Sequence, residues 1–371
     1  MGRVMRVALN LVFLVPGETG GMETYARELI PRLAALDGVE PVALVNREAA
    51  GEDWGVPTRV VPVHARNRVQ WVRGEQQHVP RMAADCALIH SMASTAPLHS
   101  RARRITTIHD LHYKLVPDAH FGLRGLGMRA LIPAAARRSH RILVDAASTR
   151  DDLVLHLGTP GGKVDVVPLG VTPRPEVSPT PAGELRARLG LGERRVLLSV
   201  SAKRPHKNIG RLLEALARMC PAHRPVLVVP GYPTPHEAEL RAQAEALNVA
   251  GDVVWPAWLP AADLEGLYAL AAVFVFPSLY EGFGLPVLEA MARGVPVATS
   301  GRASLAEVAG DAALLFDPER PDAIRAAIER LLSDPGEATR LRRAGLERVR
   351  TFTWERTAEL TAQSYARALA A

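Results

Sequence analysis

Short apolar runs recur along the whole chain, separated by longer stretches in which apolar residues return every three or four positions. Most runs are continuous rather than alternating, which is typical of parallel strands buried on both faces of a sheet. They are Val7–Val15, Val42–Val45, Val60–Val63, Ala87–His90, Ile105–Ile108, Ile142–Val144, Val164–Val167, Val196–Val200, Val226–Val229, Val253–Trp255, Val273–Phe276, Val295–Ala298 and Ala313–Phe316. The pattern predicts a strand at each run.

Amphipathic stretches between these runs predict helices. They are Glu23–Leu36, Leu212–Met219, Glu237–Leu247, Leu264–Ala271, Asp322–Leu332 and Thr353–Leu369. Strands that alternate with helices favour an α/β fold with doubly wound parallel sheets.

The length of 371 residues predicts two domains, because one hydrophobic core rarely organises so long a chain. Four prolines between Pro173 and Pro181 are typical of a stiff linker. We therefore predict one domain at residues 1–172 and a second at 173–352. Ligands bind beyond the carboxyl ends of the strands in such sheets, so we expect the main cleft between two facing domains.

The composition excludes several classes of protein. Two cysteines, Cys86 and Cys220, are too few for a disulfide framework or a four-ligand zinc site, which favours a cytoplasmic location. The early run Val7–Val15 is too short to span a membrane. Aromatic residues make up 5% of the chain and do not interleave with basic residues, which argues against nucleic-acid binding.

The net charge of +6 is concentrated in the first half of the chain. Residues 1–172 contain 21 Lys and Arg against 16 Asp and Glu, whereas residues 173–371 contain 24 against 23. Such a surplus either attracts an anionic partner or reflects an arginine-rich composition. Lysine is scarce, and it occurs only at Lys114, Lys163, Lys203 and Lys207.

A glycine-rich loop follows the first predicted strand. Its adjacent glycines, Gly20 and Gly21, lie at the start of the first predicted helix. This arrangement suits either a structural turn or a cradle for an anion, since glycine lets a phosphate approach the backbone.

The segment Pro277–Ser300, PSLYEGFGLPVLEAMARGVPVATS, is the strongest motif in the chain. A buried strand leads into a polar loop, and the amides of Gly282, Phe283, Gly284 and Leu285 come at a helix N-terminus, where they can donate to an anion. Glu281 precedes these amides and Glu289 follows them by about one turn. Two carboxylates around an anion cradle suit a ligand that has hydroxyl groups at both ends and phosphates between them, as in a sugar nucleotide.

The spacing of Glu281 and Glu289 within YEGFGLPVLEAMARGVPV resembles the signature of retaining GT-B glycosyltransferases, and most closely that of glycosyltransferase family 4. The resemblance extends to the Gly20–Gly21 loop, to Thr107–Asp110 and to the segment Ser201–Asn208. It implies two Rossmann-like, doubly wound domains that face each other across a cleft. The first would bind the acceptor and the second the donor, and the helix at 353–371 would cross back to the first.

The resemblance also implies roles for individual residues. Glu281 would contact hydroxyl groups of the donor sugar, and Glu289 the ribose hydroxyls. The amides of Phe283, Gly284 and Leu285 would meet the sugar or the diphosphate, as would the loop at Gly20 and Gly21. The backbone at or beside Trp258 would meet the base.

Two cations are expected near the diphosphate. Lys207 would stabilise the charge that develops when the sugar–phosphate bond breaks. Without the resemblance, the less favoured alternative is that Lys207 is a solvated loop cation. Where many family members have Gly-Arg, this chain has Ser201-Ala202. Either Arg204 or Lys203 would therefore supply the second cation.

His109 matches a family histidine that faces the donor sugar. It would orient the sugar and stabilise developing positive charge, through its side chain or its backbone carbonyl. From the residues alone, a histidine satisfied at the end of a strand is an equal alternative. The family resembles metal-independent catalysts, so neither a metal nor another cofactor is expected.

The basic stretch Leu123–Arg141 is either a solvated helix face or a surface that docks on anionic lipid. Peripheral contact with the inner face of the membrane would follow from the second alternative, if the acceptor is lipid-linked.

The sequence thus predicts a retaining hexosyltransferase. It would move a mannose-like or glucose-like group from a nucleoside-diphosphate sugar to a hydroxyl acceptor in glycan, polysaccharide, glycolipid or natural-product biosynthesis. The loop at His109 favours mannose. The alternatives are a sugar-nucleotide epimerase or phosphorylase on the same scaffold, and a non-catalytic protein that binds sugar nucleotides.

Overall fold

The computed structural model describes residues 4–116, 122–172 and 177–370, and the side chains of these residues except at 122–126. The chain divides into two compact units, Met1–Gly170 with Phe352–Ala371, and Val171–Thr351. Each unit contains a parallel sheet with helices wound around it, so the predicted doubly wound α/β fold class is confirmed. Pro173 and Pro175 of the predicted linker lie outside the described residues.

The first unit is built on seven parallel strands in the order β3-β2-β1-β4-β5-β6-β7 among its described residues. The strands are β1 Met5–Leu11, β2 Val39–Val45, β3 Thr58–Val60, β4 Leu88–Ser91, β5 Arg103–Thr107, β6 Arg141–Val144 and β7 Val164–Val166. From β1 the strands are added outward to β3 on one side, and from β4 they are added outward to β7 on the other. The strand order therefore reverses between β1 and β4, and doubly wound sheets bind ligands at the loops that follow the strands at such a point.

Helices cover both faces of this sheet. They are α1 Gly21–Ala34, α2 Arg68–Arg73, α3 Val79–Met82, α4 His112–Leu115, α5 Gly122–Arg138, α6 Ala147–Leu157 and, later in the chain, α15 Trp354–Ala370. One turn of π-helix, Gly74–His78, joins α2 to α3.

The helix α15 belongs to the first unit although it follows the second unit in sequence. It packs on α1, β5 and β6. The Tyr365 hydroxyl lies 2.8 Å from Nδ1 of His90, and both side chains are buried. Arg32 of α1 pairs with Glu355 at 2.7 Å. The core of the first unit therefore includes residues from both ends of the described chain.

The second unit contains six parallel strands in the order β10-β9-β8-β11-β12-β13 among its described residues. The strands are β8 Val196–Leu198, β9 Val226–Val228, β10 Val253–Val254, β11 Ala271–Phe276, β12 Val297–Ser300 and β13 Leu314–Phe316. The helices are α7 Ala182–Leu189, α8 Ile209–Ala217, α9 His236–Ala246, α10 Ala261–Leu270, α11 Leu285–Ala292, α12 Ala303–Ala309, α13 Pro321–Ser333 and α14 Pro335–Arg348.

The strand order of the second sheet reverses between β8 and β11, which are adjacent and parallel. The loop that follows β8 contains Lys207, and the loop that follows β11 contains Glu281. The fold thus brings the two segments with the strongest sequence signals to one end of one sheet.

Each predicted strand overlaps an observed one, but the first prediction is too long. β1 ends at Leu11, and the apolar residues Val12, Leu14 and Val15 are buried in the loop that follows. Continuous apolar character marks burial rather than strand geometry, which explains the error. In the described part of the chain, no helix combines the length and the apolar character needed to cross a membrane.

Candidate active site

The loop between β11 and α11 has a backbone that only glycine adopts readily. Gly284 is the N-cap of α11 and has a φ of 113°, in the region that disfavours side chains. A Cβ at this position would lie 2.5 Å from Cδ2 of Leu305. The Ser304 hydroxyl donates to the carbonyl of Glu281 at 2.7 Å and holds the other side of the loop. The loop at the start of α11 is therefore fixed.

Lys207 and Glu281 meet at this end of the sheet. Their side chains form an ion pair of 2.6 Å between Nζ and Oε1, and both are only slightly exposed. The ammonium also lies 5.2 Å from the centre of the Phe276 ring. Two residues that are 74 positions apart in sequence, and that the sequence predicts to act on one ligand, are thus in direct contact.

A short helical turn, Pro205–Lys207, positions the lysine. It ends at Asn208, which has a φ of 59°. The Asn208 amide donates to the carbonyls of Pro277 at 3.0 Å and of Pro318 at 2.7 Å. The amide of Leu279 donates to the carbonyl of His206 at 2.9 Å. Because these bonds join the two loops, the position of Lys207 relative to Glu281 is set by the backbone.

The two candidates for the second cation have different surroundings. Lys203 is fully buried, and its ammonium donates to the carbonyls of Gly231 at 2.7 Å and of Pro256 at 2.9 Å. Burial lowers the pKa of Lys203 to about 8, although Glu237 opposes this change. Arg204 is exposed. The ammonium of Lys203 therefore links the loops after β9 and β10, whereas the guanidinium of Arg204 is accessible.

Glu289 lies in the first turns of α11. The Tyr268 hydroxyl donates to its carboxylate at 3.2 Å. Burial raises the pKa of Glu289, and the charge of Arg293 opposes this rise. Arg293 also pairs with Glu265. Glu289 is therefore a half-buried carboxylate that one phenol orients.

Trp258, in the loop after β10, is 64% exposed. Its ring stacks on that of Tyr232, with the ring centres 4.5 Å apart and the planes 22° apart. An exposed aromatic face of this kind is available to a flat ligand.

The Gly20–Gly21 loop belongs to the first unit. Gly20 has a φ of 63° and is the N-cap of α1. A Cβ at either glycine would have no atom within 4 Å, so the space above them is open. The carboxylate of Glu23 accepts a hydrogen bond from the amide of Gly17 at 2.8 Å. The loop is thus braced by a residue of the helix that it precedes.

His109 follows β5 in the first unit and is held on several sides. Its Nδ1 lies 2.7 Å from Oδ2 of Asp145, and its Nε2 lies 3.3 Å from the carbonyl of Met92. The ring of Tyr25 approaches edge-on at 5.0 Å. Burial is the largest single influence and opposes a charged imidazole here, but Asp145, the Met92 carbonyl and Asp110 together outweigh burial, so the pKa of His109 is raised.

Asp145 is a site residue that the sequence analysis missed. Asp145 follows Leu143 of β6 by two residues, just as His109 follows Thr107 of β5 by two residues. This equal spacing is the sequence signal that could have identified Asp145. Thr107 and Leu143 are paired in the parallel register of these strands.

The neighbouring residue Asp110 stabilises the turn into α4. Its carboxylate accepts a hydrogen bond from the amide of His112 at 2.9 Å and lies 3.3 Å from Nδ1 of the same residue. Burial would raise the pKa of Asp110, but these contacts outweigh burial and lower it to about 2. Among the residues that the structure describes, no group of three or more His, Cys, Asp or Glu side chains is placed to hold a metal ion.

The site residues therefore form two sets. Lys207, Glu281 and Glu289 lie with the amides of residues 282–285 at the carboxyl end of the second sheet, near a helix N-terminus. Gly20, Gly21 and His109 lie in loops at the carboxyl end of the first. Two doubly wound parallel sheets of this kind are typical of the GT-B class of glycosyltransferases.

Comparison with known proteins assigns the chain within that class. The family described as glycosyltransferase family 4 matches residues 19–174, and the family described as glycosyl transferases group 1 matches residues 182–348. The chain is 32% identical to O-antigen chain mannosyltransferase B of Escherichia coli over 72% of this chain and 71% of the relative.

A second relative agrees with this assignment, and a solved structure shares the fold. The chain is 32% identical to the GDP-mannose-dependent alpha-(1-6)-phosphatidylinositol monomannoside mannosyltransferase of Mycolicibacterium smegmatis, over 71% of this chain and 69% of the relative. Sucrose-phosphate synthase of Thermosynechococcus elongatus shares the fold, with a TM-score of 0.78, 22% identity and 99% of both chains covered. The chain belongs to glycosyltransferase family 4, and it is a retaining hexosyltransferase.

Proposed function

We propose that this hexosyltransferase transfers a mannosyl group from GDP-mannose to a hydroxyl group of a glycolipid or polysaccharide. The observation that supports a nucleoside-diphosphate sugar is the pair of Lys207 and Glu281 beside the helix N-terminus of α11. The names of the two mannosyltransferase relatives, one of which is GDP-mannose-dependent, support the choice of mannose and of guanine.

In this proposal the donor binds to the second unit. The carboxylate of Glu281 accepts hydrogen bonds from sugar hydroxyls, and the loop amides of residues 283–285 donate to the sugar or the diphosphate. Lys207 stabilises the diphosphate as it departs, because a fixed cation interacts more strongly with the charge of the transition state than with the ground state. The ion pair keeps the ammonium in place before the donor arrives.

The second cation in this proposal is Arg204. Lys203 already donates to two backbone carbonyls and is fully buried, so its ammonium cannot reach a ligand without breaking those bonds. Arg204 is exposed and three residues from Lys207, and its guanidinium can bind a phosphate through two hydrogen bonds.

The nucleoside is assigned to Glu289 and to the region of Trp258. Glu289 accepts hydrogen bonds from the ribose hydroxyls, while Tyr268 orients its carboxylate. The base contacts backbone at or beside Trp258. Gly20 and Gly21 in the first unit admit the phosphates, because nothing fills the space above them.

Transfer with retention follows a same-face attack in this proposal. The bond between the sugar C1 and the phosphate oxygen breaks, and the diphosphate leaves with the electron pair. The acceptor hydroxyl attacks C1 from the same face and gives its proton to the departing phosphate oxygen. In this proposal the side chain of His109 orients the sugar, and its backbone carbonyl stabilises the positive charge that develops on the sugar.

The acceptor is assigned to the first domain, and the reaction to the cytoplasm or the inner face of the membrane. The phosphatidylinositol acceptor in the name of the Mycolicibacterium smegmatis relative supports a lipid-linked acceptor. The excess positive charge of residues 1–172 supports an anionic one.

Thermal stability in the presence of nucleoside diphosphates and their sugars tests the donor. Binding raises stability by RT ln(1 + [L]/Kd), so GDP and GDP-mannose should shift the Tm more than the UDP and ADP compounds do. A larger shift with UDP or UDP-glucose would overturn the choice of base. The absence of a shift with any of them would overturn the donor site.

Incubation with the donor alone distinguishes the alternatives. A transferase releases mannose slowly into water and leaves the remaining GDP-mannose unchanged. Epimerised donor in the absence of acceptor would support an epimerase, and release of mannose 1-phosphate on addition of inorganic phosphate to a glycan would support a phosphorylase. A non-catalytic binding protein would bind GDP-mannose without any turnover.

A further inference from the structure

The carboxyl ends of β5 and β6 place a second charged pair in the first unit. These strands are parallel neighbours with Thr107 opposite Leu143. His109 and Asp145 each follow by two residues, and their side chains meet at 2.7 Å between Nδ1 and Oδ2. The Asp145 side chain is 4% exposed and that of His109 is 13% exposed. The pair is therefore enclosed, with the histidine on the more accessible side.

Both ring nitrogens of His109 face hydrogen-bond acceptors. Oδ2 of Asp145 accepts from Nδ1, and the carbonyl of Met92, which has no proton to give, accepts from Nε2 at 3.3 Å. A neutral imidazole has one N–H group and can satisfy only one of these acceptors, whereas an imidazolium satisfies both. The geometry thus favours the cationic ring.

The other titratable groups beside this ring include Asp110, His90 and Tyr25. His90 of β4 is enclosed, and burial lowers its pKa to about 3, so this imidazole is neutral. Tyr25 of α1 presents a ring edge, and burial raises the pKa of its phenol, so it is neutral too. Burial raises the pKa of Asp145, and the charge and hydrogen bond of His109 oppose this rise. The charge of the imidazolium is balanced by the Asp145 carboxylate and, more weakly, by Asp110.

The contact with the Met92 carbonyl is the weaker of the two. Its length of 3.3 Å exceeds the usual 2.7–3.2 Å for an N–H···O bond, whereas the contact with Asp145 is short. A substrate oxygen could replace the carbonyl at Nε2 while Asp145 continues to hold Nδ1. Asp145 would then determine both the orientation and the charge of the group that reaches the substrate.

We propose that Asp145 is a positioning residue for hexosyl transfer, which holds the His109 ring so that Nε2–H donates a hydrogen bond to a hydroxyl or phosphoryl oxygen of the substrate. In this role His109 acts as a charged hydrogen-bond donor and accepts no proton from the acceptor. The proposal rests on the proposed function, which places His109 at the donor sugar.

Asp145→Asn tests the proposal, because asparagine keeps the shape and an acceptor oxygen but removes the charge. The high-pH limb of the kcat/KM profile should move down by about one pH unit or more. Above the pKa of His109 in both proteins, a shift of one unit changes the protonated fraction about tenfold. Activity should therefore fall up to about tenfold further in that pH range than at pH values below both pKa values, mainly in kcat.

Asp165→Asn is the matched control. Asp165 is a buried carboxylate of the same sheet, on β7, and it pairs with Arg141 rather than with a histidine. Its substitution should lower the Tm and leave the limb of the pH profile in place. If Asp145→Asn lowers activity equally at all pH values, as a purely structural change would, the proposal is wrong.

A measurement without substrate separates this proposal from the proposed function. In ¹⁵N-histidine spectra, with His109→Gln used to assign the signal, both ring nitrogens of His109 should stay protonated to a higher pH than those of an ordinary histidine. In Asp145→Asn the ring should titrate about one unit lower or more. A His109 that titrates no higher than an ordinary histidine, or an unchanged titration in Asp145→Asn, would overturn the proposal even if GDP-mannose proves to be the donor. An altered titration with an unmoved pH profile would also overturn it. If wild type transfers no sugar from any nucleotide, the proposed function fails instead.

Discussion

The carboxyl ends of the two sheets use charge differently. In the second unit, Lys207 and Glu281 form an ion pair, and the exposed Arg204 is three residues from that lysine. In the first unit, titratable groups near the carboxyl ends of the strands are enclosed, among them Asp145 and Glu75, whose carboxylate contacts Asn10 of β1. The carboxyl end of a sheet that binds a phosphate needs cations that a ligand can reach. Where the titratable groups at that end are enclosed instead, the surroundings hold them in place and burial shifts their pKa values.

Glu75 is the clearest example of an enclosed titratable group in the first unit. It lies in the π-helical turn, is 2% exposed and accepts hydrogen bonds from Asn10 at 3.2 Å and from Thr95 at 2.9 Å. Burial raises its pKa to about 7, although these bonds oppose the rise. Its neighbour Gln76 bonds to Ala96. The loop after β4 is therefore held at two places. His109 contacts Met92 near its start, and Glu75 and Gln76 form hydrogen bonds with Thr95 and Ala96 further along.

The largest effect should come from breaking the charged pair of the second unit. Lys207→Met should lower kcat by about 100-fold or more, since one fixed group that stabilises developing charge contributes on that scale. Steady-state transfer from GDP-mannose measures this. Lys163→Met removes a lysine that donates only to the carbonyls of Ala136 and Arg137, and it should leave kcat nearly unchanged. Equal losses in both variants would contradict the role of Lys207.

Glu75→Gln should change the pH dependence of stability by about 3 kcal/mol. Because burial raises its pKa to about 7, the folded protein binds a proton that the unfolded chain has lost above pH 4.5. Wild type should therefore lose stability between pH 4.5 and 7, and the glutamine variant should lose correspondingly less. Urea unfolding at pH 4.5 and pH 8 measures the difference. If the free energy of unfolding changed equally with pH in the two proteins, Glu75 would ionise in the folded protein as it does in the unfolded chain.

Gly284→Ala and Gly20→Ala compare the two loops directly. Both glycines have positive φ, but only the methyl group at 284 would meet another side chain, at 2.5 Å from Leu305. The free energy of unfolding should fall by about 1 kcal/mol at Gly20 and by about 2–3 kcal/mol at Gly284, where overpacking adds to the backbone strain. Urea unfolding of both variants tests this. Equal losses would mean that the packing of Leu305 on the α11 loop is loose.

Tyr268→Phe should have the smallest effect. It removes a single hydrogen bond of 3.2 Å to Glu289 and leaves the ring in place. The Kd of GDP should rise about 3- to 10-fold, in line with about 1 kcal/mol for such a bond. Calorimetric titration of both proteins with GDP measures this. An unchanged Kd would show that Glu289 does not need the phenol to bind the ribose.

The sequence was sufficient to predict the strands and the α/β class, because continuous apolar runs mark strands that are buried on both faces. It was less informative about helices with weak amphipathic patterns. Among the helices that were not predicted are α2, α3, α4, α7, α12 and α14. Short length or a largely polar surface weakens the helical period in each of them, and tertiary packing forms them instead.

In the candidate site, too, some residues could be predicted from the sequence and others could not. Glu281 and Glu289 could be proposed because they lie in one contiguous motif. Lys207 stood out because lysine is rare in this chain, although the family resemblance gave it its role. The sequence could not distinguish Lys203 from Arg204, since burial of one of two adjacent cations is decided by the loops that follow β9 and β10. Asp145 was missed because its partner is 36 residues away and only the strand register brings them together.

The return of α15 to the first unit has a consequence for synthesis on the ribosome. The second unit is one continuous segment, Val171–Thr351, and all of its strands are available once that segment has emerged. The first unit begins earlier but lacks Tyr365, the buried partner of His90, until the last helix is made. The unit that starts first is therefore completed second, and its sheet has to persist without α15 while about 180 further residues are translated.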